Sequence, residues 1–212
     1  SANSQNITPL VALLKDILYA QCYCRQFNGS YFENNITQPF DPSFQTTLSN
    51  ANSSTDKLDK NWVIEQQLPN GQFVAKRNVH YKIVNAGEFI TYGNQSTPPK
   101  EGSTISINCP KEGIDYQPAF YFVFGNEVLC EQNLISLVRF YFNIKSDKAA
   151  NLINLISTEL NKYQIPFSFK CLNQPGLFIR NDAAVLYITK QFYHITKEVL
   201  LNAFSKAAFS FN

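Results

Sequence analysis

Taken two residues at a time, the stretch LVRFYFNIKSD from Leu137 to Asp147 separates into two faces. Val138, Phe140, Phe142 and Ile144 share one, and Arg139, Tyr141, Asn143 and Lys145 share the other. This spacing predicts a strand with one face on a core and a hydrophilic face turned elsewhere. Similar apolar runs bounded by turn residues predict strands at WVIEQQL, GQFVAKRN, VHYKIV, EFITY, TISINC, AFYFVFG, FSFKCL and AAVLYIT. Pro69-Asn70-Gly71 joins the first two as a hairpin, because Asn-Gly supplies the positive-φ conformations of a tight turn. Helical spacing of Leu10, Leu13, Leu14, Ile17 and Leu18 after Thr8-Pro9 predicts an N-terminal amphipathic helix over 8–27. Further helices are predicted near 146–163, opened by Ser146 or Asp147, and over about 192–209. Residues from about 28 to 61 are rich in Asn, Ser, Thr and Gln and predict a polar, mobile loop. The fold class is therefore α+β, with curved, mostly antiparallel β-sheet. One domain spans 1–212, its β-rich core over 62–190.

Composition narrows the classes. The 212 residues suffice for one substantial core. No apolar run approaches the ~20 residues that span a bilayer, and a net charge of +2 is too small for a general nucleic-acid binder. Neither membrane nor nucleic acid is an expected partner. Cys22, Cys24, Cys109, Cys130 and Cys171 form no CxxC pair and no zinc-like spacing, and their odd number favours a reducing, cytoplasmic setting. Sequons at Asn6, Asn28, Asn35, Asn52 and Asn94 carry little weight in so Asn- and Ser-rich a chain. The start SANS reads as a processing or expression remnant. Phosphate-cradling, dinucleotide-binding, serine-elbow and zinc-protease motifs are missing from the sequence. No metal and no organic cofactor is expected.

Basic residues at strand positions are the main chemical signal. Of four arginines, Arg77, Arg139 and Arg180 lie in or at the end of predicted strands, and Lys76, Lys82 and Lys170 have similar settings. A cation facing a closed core loses hydration unless it is paired. Two readings stand: an ordinary solvated sheet face, or several strands each lending a cation to an anion-binding cleft. Tyr141 and Asn143, neutral hydrogen-bonding groups beside Arg139, suit phosphate or carboxylate. Asp182, two residues after Arg180, offers a structural partner that would pair with an arginine and organise the site. His80 shares a face with Lys82 and reads as either a surface residue or a catalytic one.

The order and spacing of NAGEFITYG (85–93), QPAFYFVFGNE (117–127), LVRFYFNI (137–144), ELNKYQIPFSFKCLN (159–173) and RNDAAVLYITKQFYHIT (180–196) resemble the HopA-type effector family. That family was named for a type III secretion effector of a plant pathogen, and its relatives occur in bacterial peptide-modification gene clusters. The resemblance covers about Gln72 to Thr196. Family members continue past the last helix with a segment holding a further arginine, which this sequence does not contain.

The resemblance implies a phosphoserine or phosphothreonine lyase that eliminates phosphate from a phosphorylated peptide, as in lanthipeptide maturation, after a kinase-like partner has acted. It also allows a secreted effector. Such an elimination needs a base for the Cα proton, cations for the departing phosphate and an acid. On this reading Arg139, Lys170 and Arg180 bind phosphate, Tyr141 and Asn143 orient it, and Asp182 supports the site. Lys76 is the base, its pKa expected to be depressed by Arg77 and nearby cations. His80, or alternatively Tyr121, is the acid. The alternative function is a non-catalytic, effector-like module that binds a partner protein or phosphopeptide.

Overall fold

The computed structural model describes residues 7–24, 41–92, 99–129, 136–207 and 209. In chain order these form α1 (Ile7–Leu18) continuing into a π-helical turn (Tyr19–Tyr23), then α2 (Pro42–Ala51), β1 (Lys57–Gln67), β2 (Phe73–Arg77) and β3 (His80–Val84). β4 (Phe89–Thr91), β5 (Thr104–Cys109), β6 (Glu112–Gln117), β7 (Phe120–Phe124) and β8 (Leu137–Phe142) follow. α3 (Ser146–Lys162), β9 (Phe167–Leu172), β10 (Ala184–Thr189) and α4 (Tyr193–Lys206) complete the order. The strands build two open five-stranded antiparallel sheets, β3-β2-β1-β5-β4 and β6-β7-β9-β10-β8. The α+β class with antiparallel sheets, an N-terminal helix and a C-terminal helix is as the sequence predicts.

The C-terminal sheet is built from alternation. Val138, Phe140 and Phe142 of β8 turn to the core side, where Phe167, Phe169 and Cys171 of β9 and Leu186 and Ile188 of β10 join them. Helices α2, α3 and α4 cover this face with Leu48, Leu152, Ile153, Ile156, Leu160, Val199 and Leu200. Each such fully buried side chain contributes about 1.5–3 kcal/mol. The opposite face of this sheet bears Arg139 and Tyr141, aligned across the register with Tyr187 and Val185 and then with Ser168 and Lys170. The N-terminal sheet has its own smaller core of Trp62, Ile64, Phe73, Ala75, Val84, Ile105 and Ile107. The predicted hairpin joins β1 and β2 through Gly71, whose φ of +83° explains the glycine there.

Three expectations need correction. Within the predicted mobile loop, residues 28–40, like 25–27 at the end of the predicted first helix, lie outside the described residues, but 41–61 is ordered. Asp41 caps α2 by accepting from the backbone N–H of Ser43 (2.9 Å) and Phe44 (3.3 Å), Pro42 occupies the first turn, and Leu48 is fully buried. The Asn-Ser-Ser run after it is a strap: Asn52 donates to Lys111 O and Tyr121 Oη, the Ser53 N–H donates to Ser157 Oγ, and Asn161 of α3 donates to Ser54 Oγ. Short polar side chains here bind helix and strand instead of water, and β1 begins already at Lys57. Asn52 is buried, so its sequon is closed to a glycan; those at Asn6, Asn28, Asn35 and Asn94, like Cys130, lie outside the described residues.

Second, α1 does not bury its apolar stripe. Leu10, Leu13, Leu14, Ile17 and Leu18 are 39–58% exposed, because the segment is anchored through its final turn, as described below. Third, β6 was not predicted; it has only partly buried or exposed positions and hence no two-residue hydrophobic signal. Among the described residues, no helix is long and apolar enough to cross a membrane.

Candidate functional site

The cations of the C-terminal sheet meet on aromatic rings. Arg139 lies 5.6 Å from the centroid of Tyr187, and the Lys170 amine lies 6.0 Å from that same ring. The Lys170 amine also sits 4.2 Å from the Phe120 centroid, which Arg180 approaches to 5.8 Å. Lys170 is thus the middle member of a three-cation row, joined to one neighbour through Tyr187 and to the other through Phe120. These rings offer negative faces to the cations but no counter-charge.

Electrostatics separate the three. Arg180 is locked in a two-point pair with Asp182, Nε to Oδ1 and Nη2 to Oδ2, both 2.8 Å. Burial pushes the Asp182 carboxyl up, but the hydrogen bonds and charge of Arg180, with help from Tyr19, outweigh it and hold the carboxyl below its usual range. Arg139 is exposed. Lys170 is partly buried and, among the described residues, donates to a neutral acceptor, Gln117 Oε1 at 3.0 Å. Burial lowers the pKa of its amine; Asp182 opposes the shift, while the charges of Arg180 and Arg139 reinforce it. An amine held this way releases its proton more readily than a solvated lysine does.

The N-terminal segment completes the site, which sequence reasoning missed. Tyr19 Oη donates to Asp182 Oδ2 at 3.0 Å, Arg180 Nη2 donates to Cys24 Sγ at 3.1 Å, and the Asn181 N–H donates to the Cys24 carbonyl. Tyr19 and Tyr23 stack at 5.1 Å, and Tyr23 packs edge-on against Tyr141 at 5.9 Å. Desolvation, followed by its hydrogen bond with Tyr141, pushes the Tyr23 hydroxyl up to about 12. Burial, with Asp182 next, raises both Tyr19 and Cys24, so the thiol remains protonated at neutral pH. Nothing local in the sequence signals this docking, since 158 positions separate Cys24 from Asp182. Tyr187 was also missed, although its alternation with Leu186 and Ile188 places it on the cation side once β8 is paired.

The residues assigned to acid–base chemistry do not join this row. Lys76 lies on the N-terminal sheet, where its amine bonds Glu65 Oε1 at 3.0 Å and lies 5.1 Å from the Tyr81 ring. Tyr81 and then Glu65 raise its pKa, the reverse of what a base requires. Arg77 does not crowd it: that guanidinium pairs with Asp59 (Nη2 to Oδ2, 3.2 Å) and stacks 4.5 Å from the Trp62 centroid. Tyr121 is fully buried on the helix-covered side, opposite Cys171 in the register, whereas Lys170 opposes Phe122. Its hydroxyl donates to Glu112 at 2.6 Å, and burial first, then that carboxylate, raises its pKa strongly. Tyr121 is a structural link between β6, β7 and α2. His80 stands on β3 in the wall of a cleft between the sheets, paired in register with Arg77. Of the orienting residues, Tyr141 is on the cation face, and Asn143 bonds Asn181 at 3.4 Å beside Asp182. Among the described residues, no group of three His, Cys, Asp or Glu side chains is arranged to hold a metal ion.

The cation row can therefore hold an oxyanion with a partly buried, proton-releasing amine between two guanidinium groups. No curated protein matches the chain at a significant level. Residues 114–211, the stretch carrying Arg139, Lys170, Arg180 and Asp182, match the model of the HopA1 effector protein family.

Proposed function

We propose that this protein is a phosphoserine or phosphothreonine lyase acting on a phosphorylated peptide, with Lys170 rather than Lys76 as its base. The observation that carries this reading is the Lys170 amine: it sits between Arg139 and Arg180, has no carboxylate partner among the described residues, and has its pKa lowered by burial and by those charges. In the reaction, neutral Lys170 takes the Cα proton of the phosphorylated residue. The electron pair forms the Cα–Cβ double bond, the Cβ–O bond breaks, and phosphate leaves against Arg139 and the unshared N–H groups of Arg180. Tyr187, beside Arg139 and with a hydroxyl pKa raised first by burial, protonates the departing phosphate. The peptide reaches this protein after a kinase-like partner has installed the phosphate.

The test is to incubate the protein with a phosphoserine peptide and weigh the product. Loss of phosphoric acid with formation of a dehydro residue is expected, and Lys170→Met should lower its rate about 100-fold or more. The rate should rise with pH through a value below the usual lysine range, since only the neutral amine accepts the proton. Unchanged turnover in Lys170→Met would remove the assignment.

A second reading, a non-catalytic effector-like module binding a phosphopeptide or a partner protein, is favoured by one observation. Arg180 is already neutralised by Asp182, an arrangement that serves recognition as well as chemistry. It predicts phosphopeptide binding with no mass loss and no rate that follows Lys170.

A further inference from the structure

A cleft of about 760 Å³ opens between the two sheets. Its floor is aromatic: Tyr116 packs against Phe122 at 5.3 Å and against Phe124 at 5.7 Å, with Tyr187 and Ser168 alongside. Trp62 and His80 of the N-terminal sheet stand in the opposite wall. Two floor residues also belong to the cation row, because the Lys170 amine is 5.9 Å from the Phe122 ring and 6.0 Å from that of Tyr187. Anion site and apolar cleft are continuous.

The geometry points to a peptide subsite: the cleft takes a large apolar side chain two residues away from the phosphorylated position. Lys170 and Ser168 lie two apart on β9 and on one face, a displacement of about 6.6 Å. Two residues of an extended peptide cover the same distance and return a side chain to the same side. A phosphate held at Lys170 would thus deliver the side chain two positions away onto Phe122 and Phe124. The cation row supplies the charge complementarity that selects a phosphorylated segment over another apolar occupant. His80 also lines the cleft, with its Nδ1 lacking a hydrogen-bond partner among the described residues. Tyr116 is 74% exposed although it lies on the aromatic floor, as a residue awaiting cover would be.

This inference deepens the phosphopeptide reading and rests on it. The experiment measures the affinity of phosphoserine peptides carrying Leu or Asp two residues before, or two residues after, the phosphoserine, with inorganic phosphate as competitor. The Leu peptide of one of these pairs should bind about tenfold more tightly. Tyr116→Ala, at an exposed position that the fold tolerates, and Phe124→Ala should remove most of that preference while leaving competition by inorganic phosphate unchanged. Equal affinities within both pairs, or a preference that survives both substitutions, with phosphate still competing, would overturn the subsite alone. Failure of every phosphopeptide and of phosphate to bind would overturn the parent reading and the subsite with it.

Discussion

The two sheets use the same residue types to different ends. On the N-terminal sheet the two cations of β2 have each acquired a carboxylate: Lys76 meets Glu65, and Arg77 meets Asp59 while covering Trp62. On the C-terminal sheet, among the described residues, Arg180 alone of the cation row is so neutralised, whereas Arg139 and Lys170 face aromatic rings and an amide. The helices explain how the second arrangement is stable. With α2, α3 and α4 burying one face, the other can remain cationic at little cost to the core. Placing a basic residue in a strand therefore says little about function until its cross-strand neighbours are known.

The largest effect should come from exchanging equivalent substitutions between the sheets. Arg139→Ala is expected to lower phosphopeptide turnover about 100-fold or more, with an unchanged urea midpoint because the side chain is exposed. Lys76→Ala should leave turnover within about twofold. A comparable loss from Lys76→Ala would erase the distinction drawn between the sheets.

A smaller effect attaches to the ion pair at the end of the C-terminal cation row. Asp182→Asn should cost about 2 kcal/mol in urea unfolding, below the ~3–5 kcal/mol of a fully enclosed pair because Arg180 keeps some contact with water. Its pH dependence has a definite sign. The folded-state pKa of Asp182 is lowered, so its stabilisation is fully present above the ordinary carboxyl value of 3.8 and is lost as pH falls through the lower folded value. The Asn variant should lack that acid-side loss. An unchanged acid limb would show that Tyr19 and Cys24 hold the segment without Asp182.

The smallest effect is expected at Glu65→Gln. Lys76 and Glu65 are each about two-fifths exposed, and water and salt screen a pair of this kind. Its melting temperature at physiological ionic strength should match that of the unaltered protein; a measurable drop would mean that the N-terminal sheet depends on its ion pairs more than their exposure allows.

Local signals carried as far as local physics reaches. The alternation in LVRFYF placed Arg139 and Tyr141 on one side, the Asn-Gly turn set the β1–β2 hairpin, and Arg180 and Asp182 are close enough in sequence to be matched by eye. Helix α2 leaves little trace in the sequence, because its core contacts, Phe44, Leu48 and Ala51, sit in a segment otherwise made of loop-forming residues. The partner of Lys76 is hidden for a different reason: the register of β1 against β2 shifts between Ile64 and Gln66, in the segment that brings Glu65 to the amine. An irregularity of this kind depends on two strands at once and leaves no periodic trace in either.

By itself the sequence determined the class of fold and the two faces of β8, because side-chain periodicity and turn chemistry are properties of short segments. Tertiary structure alone decided which lysine loses its counter-charge, which arginines flank it, and that Tyr19, Tyr23 and Cys24 close over them. Burial and Coulomb interaction depend on distances between residues far apart in the chain, and only the folded packing of strand against strand and helix against sheet sets those distances.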